Sequence, residues 1–304
     1  MKNGKGDRET GRRGAKNSSR PVAPSPHLRV SPSRPLITLL TDFGTADYFV
    51  GAMKGVILSL SPQARVVDLT HHIPPQDIAS AAFTLAAVYQ SFPAGTIHVA
   101  VVDPGVGSSR RPILTVADTQ FFVGPDNGIF SYIFDRVPDA QVFQLTSEQY
   151  FQYPLSATFH GRDIFAPVAA ALANGVQPAK LGKRINDPVS LPSLAPERLA
   201  QGGLRGRILH IDHFGNCVTN ITQEELLAGG LDSGFRLTVK QKVIQKLRRN
   251  FSGDSEGDKP DELFTIWGSA GFLEIAAMNR SAAEILQARR GEAVVVSALG
   301  KTKK

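Results

Sequence analysis

Three apolar runs in this chain end in side chains that can do chemistry. Asp42 follows LITLLT, Asp68 and His71 close the stretch RVVDLTH, and Asp103 follows IHVAVV. In an open parallel sheet, ligands settle beyond the carboxyl ends of the strands, so polar residues delivered by separate strands converge on one crevice. A strand-terminal Asp taken alone is ordinarily a turn or a helix cap; three of them together mark a site. Of the seven histidines, His160 in SATFHGRD is best placed to face that crevice, with Gly161 allowing a sharp turn ahead of an apolar helix. Carboxylates beside imidazoles make a polar binding site. As oxygen and nitrogen donors, Asp42, Asp68, His71, Asp103, His160 and Asp163 are equally the ligand types of a metal-dependent hydrolase.

Several familiar chemistries lack their motifs. DPGVG is neither a GxxxxGK[ST] phosphate loop nor a GxGxxG fingerprint, and it reads equally as a close-approach loop or a plain turn. There is no HExxH, and no GxSxG elbow follows a strand. His71 and His72 in DLTHHIPP are expected to bond to loop backbone. ILHIDHFGN offers a charge, a ring and an amide in Asp212, Phe214 and Asn216, composition that suits an adenine with an amino-acid group, and equally a β-turn. Cys217 reads as a small packing residue.

The elements that must position these residues follow from periodicity. YFVGAMKGVILSLSP carries apolar residues at helical spacing and ends at Pro62, and the strand–helix alternation continues through DIASAAFTLAAVYQSF to IHVAVV. That alternation predicts an α/β N-terminal domain over 36–190 with a mostly parallel central sheet, including the strand pair PILTVAD and QFFVGPDNG and the helix RDIFAPVAAALANG stopped by Gly175. A Pro- and Gly-rich polar stretch follows, with 191–203 as the linker. Residues 204–300 contain β-branched runs between polar turns and predict a smaller antiparallel β-rich domain, a barrel or sandwich, with a short helix near Ser281–Gln287 and a surface loop at Asn250–Asp261.

Charge narrows the partners. The formal net charge is +7, yet residues 1–35 alone hold nine Lys and Arg against two acids, so the rest of the chain is neutral. The body is therefore not a nucleic-acid binder, and 1–35 reads as a disordered basic tail without the apolar core of a secretory signal. The longest small-and-apolar stretch, Ile78 to Tyr89, has twelve residues, short of the roughly 18 that span a bilayer, so no membrane association is expected. One cysteine in 304 residues agrees with a reducing, cytoplasmic setting.

Taken in order, TDFG at 41–44, MKGVI at 53–57, VDLTH at 67–71, VVDPGVGSSRR at 101–111, VGPDNG at 123–128, FHGRDIFAPVAA at 159–170 and IDHFGNCVTNI at 211–221 resemble the S-adenosyl-L-methionine (SAM) hydroxide adenosyltransferases, adenosine-forming SAM hydrolases related to the fluorinase and chlorinase. The resemblance covers about 36–300. It implies a homotrimer with SAM between one subunit's first domain and its neighbour's second, no cofactor, and attack of water or hydroxide on C5′ of SAM to give adenosine and methionine. Residue by residue it implies that Asp42 accepts the ribose hydroxyls and that Asp103, Arg110 and His160 handle the water. It further implies that Asp212 meets the methionine amino group, Asn216 the adenine edge, Phe214 the adenine face and Ser269 the methionine portion. Ala270 stands where the halogenases carry Arg, Asp103 where they carry Tyr or Gly, and Gly161 where the fluorinase carries Ser. An anionic residue at that position implies hydrolysis and not halide transfer. Two rival readings stay open, a non-catalytic regulator that binds SAM or adenosine and the metal-dependent hydrolase.

Overall fold

The computed structural model describes Met1 and residues 34–231, 234–251 and 261–299. Nearly all of the predicted basic tail, and most of the predicted loop at Asn250–Asp261, lie outside the described residues. The strands are β1 Leu36–Thr41, β2 Arg65–Thr70, β3 Ile97–Val101, β4 Pro112–Ala117, β5 Gln120–Pro125, β6 Gln141–Leu145, β7 Gly182–Ile185, β8 Glu197–Arg198, β9 Leu204–Ile211, β10 Cys217–Thr222, β11 Phe235–Val239, β12 Lys242–Ile244, β13 Leu247–Arg248, β14 Leu263–Trp267, β15 Phe272–Ala277 and β16 Ala293–Ala298. The helices are α1 Phe49–Leu60, α2 Ile78–Val88, α3 Ser131–Arg136, α4 Ala166–Ala173, α5 Pro178–Leu181, α6 Gln223–Ala228 and α7 Ala282–Leu286.

Among the described residues the first sheet has seven strands in the order β2-β1-β3-β5-β4-β6-β7. The first four run parallel, in register Ile37↔Ile97 and Val99↔Val123. Helices cover both faces, so the strands read as nearly continuous apolar runs. Ile37, Leu39, Val99 and Val101 pack under α1 and α4 with Met53, Ile57 and Val168. Leu40, Ala100 and Val102 pack under α2 and α3 with Phe83, Leu85 and Ile133.

The expectation of a mostly parallel sheet holds: five of the seven strands point one way, and only β4 and β7 are reversed. β4 runs antiparallel to both β5 and β6, and β7 antiparallel to β6. The reason is local: β4 and β5 are joined by two residues, Asp118 and Thr119, both at positive φ (52° and 64°). Such a turn matches the strand twist of a hairpin and cannot return the chain in parallel.

The second sheet is antiparallel except for the parallel pair β13–β14. β9 serves both its halves, pairing with β16 through Leu204–Arg207 and with β10 through Ile208–Ile211. Side chains from opposite ends of the strand order, Leu237 and Ile244 with Leu273 and Ile275, share one buried cluster, so the sheet curls over its own core. The short helix expected near Ser281–Gln287 is α7, and Ser281 caps it, its side chain accepting from the Glu284 N–H.

The segment between the sheets is bonded to its neighbours. Buried Asn220 accepts from the Arg207 N–H at 2.6 Å and donates to the Leu194 carbonyl at 2.6 Å. Glu197–Arg198 pairs with β9. The two sheets also share core: Phe83 of α2 stacks on His210 of β9 at 5.3 Å and meets Phe272 of β15 at 6.0 Å.

Candidate active site

Asp103 stands two residues beyond β3, and the loop after it doubles back. Val106 N–H donates to the Asp103 carbonyl, Ser108 N–H and Oγ donate to the Gly105 carbonyl, and Arg110 N–H donates to Ser108 Oγ. Gly107 has φ +76°, and a Cβ there would collide with the Ala157 carbonyl oxygen. That close approach seats the 103–110 loop on the segment leading to His160.

The fold-back lays Arg110 on Asp103. Its Nε lies 2.8 and 3.0 Å from the two carboxylate oxygens and its Nη2 also donates to Oδ2. The pair is buried, with side-chain exposures of 9% for Arg110 and 5% for Asp103. Arg110 Nη2 further lies 2.8 Å from His160 Nδ1, and the guanidinium packs 5.3 Å from the Phe165 ring centroid. A guanidinium only donates, so Nδ1 accepts and the neutral ring carries its proton on Nε2. Burial, helped by the Arg110 charge, holds the His160 pKa below its ordinary value, with Asp103 and Asp163 opposing. Arg110 Nη1 is buried with no hydrogen-bond partner among the described residues. A buried N–H left over in this way is a donor available to a ligand oxygen.

His160 caps a π-helical turn, Gly161–Phe165, that runs into α4; turns of this kind concentrate at functional sites. Gly161 is not at a left-handed φ, contrary to the sharp turn expected of it. Its lack of a side chain serves packing instead, since a Cβ would press on Met53 Sδ at 3.1 Å and the Phe159 ring at 3.2 Å. Fully buried Asp163 fixes the turn: it pairs with Arg162 and accepts from the Ser156 N–H at 2.7 Å.

Asp42 sits just past β1. One carboxylate oxygen accepts from the Gln76 N–H at 2.8 Å. The residues behind it are knit together. Gly44 N–H donates to the His71 carbonyl, and Thr41 Oγ1 lies 2.9 Å from His71 Nδ1. His71 Nε2 stands 3.0 Å from Asp68, which also takes Lys54 at 2.6 Å. Buried His71 therefore uses its ring to join side chains, where the sequence pattern led us to expect bonding to loop backbone. Burial raises the Asp68 pKa, but bonds from Lys54 and His71 outweigh it and leave the group below its usual range.

In the second sheet, Asp212 closes its own loop. Its Oδ1 accepts from the N–H groups of Phe214 and Asn216, and its Oδ2 from Asn216 Nδ2 at 2.8 Å. Phe214 is 76% exposed at the tip, beside a cavity of about 560 Å³ also lined by Asn216, Phe251, Arg280 and Ser281. Ser269 is exposed in the turn between β14 and β15. The sequence reading passed over Glu274 of β15. Its carboxyl lies against Gly268, where a Cβ would collide with Oε1, and burial with the nearby Asp212 charge pushes it up to about 6. The available signal was an acid between the apolar residues of FLEIAA.

The structure thus brings Asp103, Arg110 and His160 together, and Asp212, Phe214 and Asn216 together. Among the described residues no hydrogen bond or ion pair joins the two groups. No set of three or more His, Cys, Asp or Glu among them is disposed to hold a metal ion, and no helix among them is long and apolar enough to cross a membrane. Burial pushes the Cys217 thiol up to about 11. A second cavity, about 820 Å³ between α1, α4 and the 149–152 segment, is lined by none of the trio.

Comparison with known proteins bears on this geometry. Residues 37–182 match the family model of the SAM hydroxide adenosyltransferase N-terminal domain, and residues 206–295 that of the C-terminal domain. The chain is 38% identical over 271 residues to an (R)-S-adenosyl-L-methionine hydrolase of Salinispora arenicola, covering 88% of this chain and 99% of that protein. A fluorinase of Nocardia brasiliensis is 27% identical over 232 residues, covering 68% and 77%. A crystal structure of an uncharacterized conserved protein from Thermotoga maritima superposes with a TM-score of 0.78 at 33% identity, covering 86% of this chain and 99% of that one.

Proposed function

The chain belongs to the SAM hydroxide adenosyltransferase family, and from that premise we propose that it hydrolyses SAM to adenosine and L-methionine with Asp103, Arg110 and His160 directing the water. The reaction forms a C5′–O bond and breaks the C5′–S bond, whose electron pair goes to sulfur. The sulfonium leaves as a neutral thioether, so no acid is needed on the leaving side. Catalysis reduces to holding one water in line and accepting its proton.

One observation carries the assignment: buried Arg110 bridges Asp103 and His160 and leaves Nη1 without a partner among the described residues. That nitrogen is the donor for the attacking oxygen, and its positive charge favours the hydroxide that forms. His160 Nδ1 is already committed to Arg110, whereas the Asp103 carboxylate keeps accepting capacity. Asp103 is therefore the proton acceptor, and neutral His160 fixes the guanidinium.

The remaining residues bind. Asp42, held by Gln76, takes the ribose hydroxyls. Asn216, whose amide nitrogen is fixed by Asp212, turns its carbonyl oxygen toward the adenine amino group, and Phe214 lies on the purine face. Asp212 and Glu274 face the methionine end with Ser269. A substrate cation there offsets the burial and the Asp212 charge that raise Glu274. Exposed Phe214, and the absence among the described residues of any bond linking its loop to the trio, support a site completed by a second copy of the chain, in a homotrimer.

Asp103 also separates hydrolysis from halide transfer, because an anion beside the nucleophile repels a dehydrated halide. The test is to incubate the protein with SAM and fluoride or chloride and to separate the nucleosides. Adenosine alone is expected, and a 5′-halo product overturns the reading. Running both sulfonium epimers tests whether this chain takes the (R) form named for its relative.

A further inference from the structure

Asp42 reaches across to the 74–80 segment, and that segment is held from the other sheet. The backbone N–H that orients Asp42 belongs to Gln76, at φ +64°, a left-handed conformation that a side-chain-bearing residue rarely adopts. Next to it, Asp77 caps α2, accepting from the Ser80 N–H at 3.0 Å and from Ser80 Oγ at 3.0 Å. Asp77 is gripped in turn by Arg290, from the turn before β16. Arg290 Nη1 donates to Asp77 Oδ2 and to Ser80 Oγ at 2.6 Å, Nη2 lies 3.3 Å from Oδ1, and Nε donates to the Leu209 carbonyl at 2.9 Å. The guanidinium is thus anchored on β9 and forked onto the residue that follows the strained peptide.

From this we infer that Arg290 is a positioning residue for nucleoside binding: through Asp77 it pins Gln76 in its left-handed conformation, and Gln76 aims the Asp42 carboxylate. Nothing in the local sequence favours the left-handed state at Gln76, so an outside restraint is needed to hold it. Asp77 supplies that restraint only while its carboxylate is fixed on both sides, by the helix it caps and by Arg290. A carboxylate that must accept two vicinal hydroxyls needs a set plane, and one of its oxygens is set by this N–H. The inference rests on the reading of Asp42 as the ribose-binding group.

The test is calorimetric binding of adenosine and of 2′,3′-dideoxyadenosine to the intact chain, to Arg290→Met and to Asp77→Asn. Asparagine caps helices as well as aspartate does, so the second variant keeps α2 and removes only the charge that Arg290 holds. The intact chain is expected to bind adenosine at least about tenfold more tightly than the dideoxynucleoside, as for hydrogen bonds to a charged acceptor. Each variant is expected to lose about tenfold for adenosine and nothing for the dideoxynucleoside, and the double variant to lose no more than either single one. If the intact chain prefers adenosine and both variants keep that preference, or weaken on the two ligands alike, the role given to Arg290 is overturned while Asp42 stands. If the intact chain does not distinguish the ligands, the reading of Asp42 fails and this inference with it.

Discussion

Arg110 Nη2 and His160 Nδ1 lie 2.8 Å apart, and since only the arginine can donate, the histidine is held neutral with its proton on the far nitrogen. A protonated ring would set donor against donor. The bond therefore makes the imidazole a brace for the guanidinium, and ties the working state of the site to pH.

The first expectation follows from that tie. Burial and the Arg110 charge keep the His160 pKa below the ordinary histidine value, about 6.5. The kcat/KM profile for adenosine formation should stay level as pH falls through 6.5 and decline only below it. His160→Asn, which offers Arg110 an acceptor that does not titrate, should abolish that decline while lowering kcat. A variant that keeps the same acid limb would remove the brace role.

The Asp103–Arg110 pair gives a second expectation. Asp103→Ala removes the proposed proton acceptor and takes from a buried guanidinium its carboxylate partner. Adenosine formation should fall by about 10³-fold or more, and the fold should lose about 3–5 kcal/mol. Adding Arg110→Ala should return most of the stability and none of the activity. Thermal melts of the single and double variants read the first, and chromatographic adenosine assays the second.

Mixing experiments test the shared site. Asp103→Ala and Asp212→Ala chains should each be inactive alone. Co-refolded in equal amounts, they should recover up to about a quarter of wild-type activity if one copy supplies the trio and another the Asp212 loop. A site completed within one chain recovers nothing, because every chain carries a defect.

A fourth expectation concerns the fold. His98 of β3 is buried between Thr38 Oγ1 at 2.7 Å and Gln120 Oε1 at 2.6 Å, and burial pushes its pKa down to about 4. Because the folded value lies below the unfolded one, the unfolded chain binds the extra proton. The contribution is complete above about pH 6.5 and is lost as pH falls toward 4. The Tm should drop across that window, and the drop should shrink in His98→Gln, which keeps one polar contact and does not titrate.

How far the sequence could be read depends on how local each cause is. β1, α1 and α2 announce themselves through apolar spacing and Pro62. The reversal of β4 within the mostly parallel sheet is not legible, because its cause is the backbone sign at Asp118 and Thr119, a pair that lacks the usual glycine. Asp103, Arg110 and His160 were nameable through family resemblance, yet that resemblance gave no hydrogen-bond direction, and the direction is what separates acceptor from brace. Glu274 escaped as an ordinary strand acid. Gln76 and Arg290 were invisible for a deeper reason: one acts through a backbone N–H, and the other meets Asp77 across 213 positions of chain.

The π turn at Gly161–Phe165 has an engineering consequence. It holds one residue more than a regular turn, and each residue rotates a helix by about 100°. Excising one residue from this segment would give α4 an unbroken ladder and a sturdier start, and would swing the imidazole a quarter-turn away from its guanidinium. Any programme that selects variants for heat resistance alone will be drawn toward that deletion, and will collect well-folded proteins that no longer turn over.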